Sequence, residues 1–187
     1  MNYRITGTGS CTPDIVKKNS DFLQNKFLDR DGSDIQSSNP EIIEKFKSIT
    51  GITERRYASD EMNCSDLATD AARSAIVDSK IDQETLDYII VAHNAGDISC
   101  NSGQVDTLPS IASKVKAKLK IKNPDCVAYD IICGCPGWLE GMIQAKSFIK
   151  SGMASKCLII GCDTLSRILD ENDRDSMIYA DGSGATI

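Results

Sequence analysis

The residues with the most chemistry in them sit in one short run, Tyr129-Asp-Ile-Ile-Cys-Gly-Cys-Pro-Gly-Trp138. A strand-like stretch ends near Ile132, Gly134 supplies a tight turn, and Pro136 opens a helical pattern. Cys135 is therefore expected at or near the N-cap of a helix, where the partial positive charge of the helix end stabilises a thiolate. A reactive atom held on a strand-to-helix turn is the geometry of the hydrolase nucleophile elbow. A small core cysteine is the competing reading of the same residue. Cys133 shares the turn, but it still belongs to the strand and is expected to point elsewhere.

Other chemistry-bearing residues are less specific. The single histidine, His93, ends the apolar run YIIVAH and reads as a hydrogen-bonded structural side chain. Gly7-Thr8-Gly9-Ser10 begins like a dinucleotide fingerprint, yet Thr12 replaces the third Gly and Pro13 blocks an immediate helix. Asp181-Gly182-Ser183-Gly184 has no Lys after it, so a tight turn lining a site fits better than a phosphate loop. Asp173-Arg174 reads equally as a local ion pair on a surface loop or as a substrate contact. Eight cysteines are scattered at 11, 64, 100, 126, 133, 135, 157 and 162 without a C-x-x-C pair. Neither a disulfide framework nor a zinc site is expected, and no bound cofactor or metal.

Something must position that turn. Nearly continuous apolar runs predict strands at Tyr3–Thr8, Tyr88–Ala92, Cys126–Ile132 and Cys157–Cys162, with a fifth at Met177–Ala180 or beyond. Between them lie helical patterns. Asn63 is a candidate N-cap with Asp66 three residues on, followed by the stripe Leu67, Ala68, Ala71, Ala72, Ala75 and Ile76. Thr107 and Pro109 open a second helix carrying Leu108, Ile111, Ala112, Val115 and Leu119 on one face. A third runs from Pro136 to about Ser151, stopped by Gly152. Its apolar residues spread around the circumference, which predicts deep burial. Alternating strands and helices imply an α/β fold with a largely parallel sheet covered on both sides. Gln24–Pro40 is polar and turn-rich and reads as a surface excursion. Asn94–Thr107 is a second irregular stretch, following a strand's C-terminal end, where such sheets place ligands.

Composition bounds the rest. A chain of 187 residues fits one domain with a buried core. The formal charge of -6 argues against general nucleic-acid binding, which needs clustered Lys and Arg. A local basic patch could still receive an acidic carrier protein. No apolar run approaches the roughly 20 residues that span a bilayer. The N-terminus MNYRITGTGS has no signal-peptide pattern, so a cytoplasmic protein is expected.

YDIICGCPGW, followed by a helix and then KCLIIGCDTLSR, resembles the nucleophile region of the ketoacyl-ACP synthase III family. That family shows D-x-x-x-x-C-x-G-[FW] and then a strand ending in G-x-[DE]-x-x-S. Thr50-Gly51-Ile52-Thr53-Glu54-Arg55-Arg56, Asp173-Arg174 and Asp181-Gly182-Ser183-Gly184-Ala185 match further family blocks in order. The resemblance implies a thiolase-like half fold: a layered α-β-α domain over residues 1–187 with a five-stranded, mostly parallel mixed sheet. The family's C-terminal half is not in this chain. It implies Cys135 as catalytic nucleophile for an acyl thioester, usually acyl-CoA, and malonyl-ACP as the second substrate, joined by decarboxylative Claisen condensation. Trp138 is expected beneath the elbow. Leu108, before Pro109-Ser110, occupies the place of the family residue that reaches the partner subunit's acyl pocket; a buried helix-start staple is its alternative. Family members that stack the CoA adenine use a Trp and an Arg where this chain has Lys45 and Ile49. An acyl carrier protein and a second copy, as homodimer, are the implied partners. An HMG-CoA synthase-like or starter-unit synthase relative is an alternative; so is a non-catalytic half that acts only through a partner.

Overall fold

A computed structural model describes residues 3–187. Its sheet has five strands in the order β1 (Thr8–Cys11), β9 (Asp181–Thr186), β8 (Cys157–Thr164), β4 (Tyr88–His93), β7 (Val127–Ile132). β4 pairs in parallel with both β7 and β8, whereas β9 runs antiparallel to β8 and β1. The mixed, mostly parallel sheet expected from the alternating pattern is the one observed. β4 lies in the interior, and Ile89, Ile90 and Val91 are fully buried, as expected for a strand covered on both faces.

α2 (Cys64–Ser79) and α3 (Ile111–Lys118) cover one face, and α4 (Gly137–Ser151) the other. α2 starts as its sequence suggests: Asn63 is the N-cap and its N–H donates to Asp66 at 2.9 Å. Leu67, Ala68, Ala71, Ala72 and Ala75 are all fully buried, and the four alanines share a core cluster with strand residues of the sheet. Gly7 and Gly9 make that closeness possible. A Cβ at Gly9 would lie 2.2 Å from the Ala71 carbonyl oxygen, and one at Gly7 2.5 Å from that of Ala75. The G-T-G-S run is thus a helix-packing surface.

α1 (Asn39–Thr50) and the hairpin of β2 (Ile15–Lys18) and β3 (Glu54–Tyr57) form a satellite core around Phe22, Phe27, Ile42, Phe46 and Met177. The Thr50–Arg56 block builds it. Gly51 ends α1 in the left-handed conformation (φ 71°). Buried Arg55 donates to Met177 O (3.0 Å), Lys17 O (3.1 Å) and Asn19 Oδ1 (2.7 Å) while stacking over Phe22 and Phe46. A short hairpin, β5 (Asp97–Ile98) with β6 (Val105–Asp106), lies within the expected irregular stretch.

Several expectations need correcting. Residues 3–7 are not strand; β1 begins at Thr8, although the Thr6 N–H already donates to Ile187 O at 2.7 Å and the Ile187 N–H to Gly7 O at 2.9 Å. Arg174–Ile178 is a 3-10 turn and the last strand starts at Asp181, so DGSG is extended backbone and not a tight turn. α3 starts at Ile111, where the Ser110 hydroxyl accepts from Ser113 N, leaving Thr107 and Pro109 outside. α4 ends at Gly152 as expected, but it is not deeply buried. Gly137, Gly141 and Ala145 alone form its buried side, and Leu139 and Ile143 are about half exposed. No helix of the described residues is long and apolar enough to cross a membrane.

Candidate active site

Cys135 stands on a turn closed by the Gly137 N–H donating to Gly134 O at 3.0 Å. Pro136 is the N-cap of α4, so Cys135 lies one residue ahead of the cap. Gly134 carries the reversal at φ 60°, a left-handed conformation that favours glycine. Asn94 fills the space beside it: a Cβ on Gly134 would come within 3.4 Å of Asn94 Oδ1. The first turn of α4 presses onto the sheet because Gly137 and Gly141 have no side chains. A Cβ at those positions would lie 2.9 Å from Ala92 Cβ and 2.8 Å from Ile159 Cγ2.

The exposed Cys135 lines a cavity of about 430 Å³ beyond the C-terminal end of β7, with Trp138, Gly161, Asp163, Asp181 and Gly182–Gly184. Trp138 lies over Gly161 and forms part of the same wall, so two of the three expected site residues meet. Leu108 does not join them. It is 79% exposed, which rules out the buried-staple reading and leaves its side chain in solvent.

Asp163 is a wall residue that sequence reasoning passed over, although it is the acidic position of the G-x-[DE]-x-x-S pattern. Its Oδ1 accepts from Asn94 N (2.8 Å) and its Oδ2 from Asn94 Nδ2 (2.7 Å), tying the end of β8 to the end of β4. Burial pushes the Asp163 carboxyl above the usual carboxylate range, more than the Asn94 bonds lower it. Asp181 is held by Ala58 N (2.7 Å), Ser166 N (2.9 Å) and Ser166 Oγ (2.6 Å), so it braces the cavity rim. His93 is buried and hydrogen-bonded, as expected. Its Nε2 lies 3.0 Å from Asp130 Oδ2, and Asp130 accepts from Ile111 N and Ala112 N at the start of α3. Asp173 accepts from Asp175 N at 2.8 Å, and the Asp173–Arg174 ion pair does not form among the described residues.

Five other thiols are pushed above their ordinary range. Burial pushes Cys157 up to about 12, and raises Cys126 and Cys11; a bond to Asp60 raises Cys100. Contact with Cys64 and burial raise Cys162. A larger groove, about 1060 Å³, runs along α4 past Tyr3, Ile5, Leu139, Met142 and Ile143. Its thiol is the buried Cys157, whereas Cys135 is exposed on its turn, so the smaller cavity is the better chemical site.

Comparison with known proteins fits this arrangement. The family described as 3-Oxoacyl-[acyl-carrier-protein (ACP)] synthase III matches residues 129–187, the stretch from β7 to the end of β9. Beta-ketoacyl-[acyl-carrier-protein] synthase III of Neisseria gonorrhoeae is 38% identical over 100% of this chain and 52% of the relative. This chain belongs to the ketoacyl-ACP synthase III family. The crystal structure of the synthase III from Aquifex aeolicus superimposes with TM-score 0.77 at 32% identity, covering 98% of this chain and 52% of that one. That from Thermus thermophilus gives 0.77 at 31%, with 98% and 50% covered. The fold is accordingly thiolase-like, and the chain spans about half the length of the synthase III relatives it matches.

Proposed function

We propose that this chain is the acyl-accepting half of a condensing enzyme, with Cys135 as the nucleophile. The observation that carries it is Cys135 exposed on a strand-to-helix turn, one residue ahead of the α4 cap, and lining a cavity. In the proposed reaction the Cys135 thiolate attacks the carbonyl of an acyl thioester. The carrier thiol leaves and the acyl group stays on sulfur. The Cys135 N–H supplies part of the oxyanion hole, and a second, C-terminal half supplies the remainder. Malonyl-ACP then loses carbon dioxide and its carbanion displaces the acyl group from Cys135, completing a 3-oxoacyl-ACP. Trp138 shapes the wall against which the acyl carbonyl lies.

The partners follow from the same reading. β7 is an edge strand, and Val127 and Ile132 at its ends are exposed (47% and 76%), which suits pairing with a second copy. In such a homodimer the solvent-exposed Leu108 reaches the other subunit's acyl pocket and limits chain length. Lys45 and Ile49 stand where some family members stack the CoA adenine, so a carrier-protein thioester suits the donor site at least as well as acyl-CoA. The proposed setting is the cytoplasm.

Incubation with acetyl-CoA followed by intact-mass measurement tests the nucleophile. One acetyl group is expected on the wild-type chain supplied with the second half of a relative. Acetylation that persists in Cys135→Ala would overturn the assignment.

A further inference from the structure

Two sulfurs outside the acyl-transfer chemistry lie in contact. Cys64 Sγ and Cys162 Sγ are 2.8 Å apart, although 98 positions separate them in sequence. Cys64 is the first residue of α2 and is fully buried; Cys162 is on β8 and 5% exposed. Their surroundings are apolar, with Ala68, Val91 and Ala185 in the same core cluster. Cys162 follows Gly161 on β8, so its side chain lies on the α2 face of the sheet while Gly161 faces Trp138 and the cavity of Cys135.

We propose that Cys64 and Cys162 are a modification site: a reversible disulfide, formed by a small peroxide, that staples the start of α2 to β8 beside the active-site cavity. A disulfide needs sulfurs about 2.05 Å apart on suitably placed carbons. The pair is close enough for a small side-chain shift to close that gap. Oxidation proceeds in two balanced steps. The Cys162 sulfur attacks one peroxide oxygen, the O–O bond breaks, and the departing hydroxide takes the Cys162 proton to become water. Cys64 sulfur then attacks the Cys162 sulfenic sulfur, the S–O bond breaks, and a second water leaves with the Cys64 proton. Two thiols lose two electrons and hydrogen peroxide gains them.

The Cys64 contact and burial hold the Cys162 thiol protonated, with Asp163 and Asp130 adding to the effect. The pair therefore stays reduced at rest and closes slowly, after the exposed Cys133 and Cys135 have met the oxidant. The staple closes a loop of 98 residues, which restricts the unfolded chain far more than the folded one. Neither sulfur takes part in the proposed acyl transfer, so the site can be tested without any activity assay.

The experiment treats the chain with hydrogen peroxide, caps remaining thiols under denaturing conditions, and maps the cross-linked peptides. A Cys64–Cys162 peptide lighter by two hydrogens is expected, and dithiothreitol should restore both thiols. The cross-linked chain should melt roughly 5–10 °C higher than the reduced one. That shift should vanish in Cys64→Ala and in Cys162→Ala. A cross-link confined to Cys133–Cys135 or Cys135–Cys162, or no cross-link on the wild-type chain, would overturn the proposal. Because the decisive map is made on the wild-type chain, poor folding of either variant would not shield it.

Discussion

The two faces of the sheet are built to different degrees of completion. On the α2 face, five apolar side chains of one helix are fully buried, and Gly7 and Gly9 let the backbone of that helix approach β1 closely. On the α4 face, a stripe of small residues meets the sheet, and the outer side shows Leu139 at 56% and Ile143 at 50% exposure. A helix that is apolar around most of its circumference is ordinarily interior. The α2 layer is finished within this chain, whereas α4 carries an apolar outer face suited to a covering layer. The difference teaches that the half fold holds its shape from one side and presents its chemistry on the other.

Charge insertion should separate the two faces most sharply. Ala68→Asp puts a carboxylate where nothing is accessible to water, and loss of the folded chain is expected in circular dichroism. Leu139→Asp on the outer side of α4 should change stability by no more than about 0.5 kcal/mol, measured by urea unfolding. Equal damage from both would break the comparison.

Glycine substitutions sharpen it further. A Cβ at Gly9 meets α2 backbone at 2.2 Å, whereas one at Gly141 meets the Ile159 Cγ2 methyl at 2.8 Å. Backbone in a sealed layer cannot yield as a side chain can. Gly9→Ala should cost about 3 kcal/mol and Gly141→Ala about 1 kcal/mol in urea unfolding.

The smallest expected effects are in pH dependence, and they have opposite signs. Burial opposes it, but the Lys118 bond and the Asn63 N–H hold Asp66, on the α2 face, below its ordinary range. Its stabilising contribution is present above the unfolded-state pKa and is lost as pH falls through the lowered value. Burial holds Asp163, at the cavity, above its range. Its contribution is present below the unfolded-state pKa and is lost as pH rises through the raised value. Urea midpoints followed from about pH 3 to 7 should lose acid sensitivity in Asp66→Asn. In Asp163→Asn they should lose part of any decline on the higher-pH side. Slopes of the same sign in both variants would contradict the assigned environments.

Much of this architecture was legible from local pattern. The strands at Tyr88, Cys126 and Cys157 and the capped helix at Asn63 follow from unbroken apolar runs and one N-cap, signals that need no tertiary knowledge. The Cys135 elbow was legible too, since Gly134 and Pro136 punctuate it on both sides. The burial of α4 was misjudged for a physical reason: its periodicity reports an apolar circumference, not whether the covering layer belongs to this stretch of chain. α1 is not evident in the sequence, because Ser38 and Pro40 at its start close a polar, turn-rich run that by itself reads as loop. Asp163 has a legible place in the G-x-[DE]-x-x-S pattern, but its surroundings do not show in sequence. Its environment is made by Asn94, 69 residues away, and no local window joins them. The clamp of Arg55 on Met177, 122 residues on, is similarly invisible in sequence.

The central claim turns on which sulfur of one short turn receives the acyl group. Exposure to an acyl-CoA with a relative's second half present, then digestion under mildly acidic conditions that preserve thioesters, locates the acyl group among the eight cysteines. The account expects it on Cys135, with Cys133 recovered as a free thiol. An acyl group on Cys133, or on any thiol other than Cys135, would contradict it.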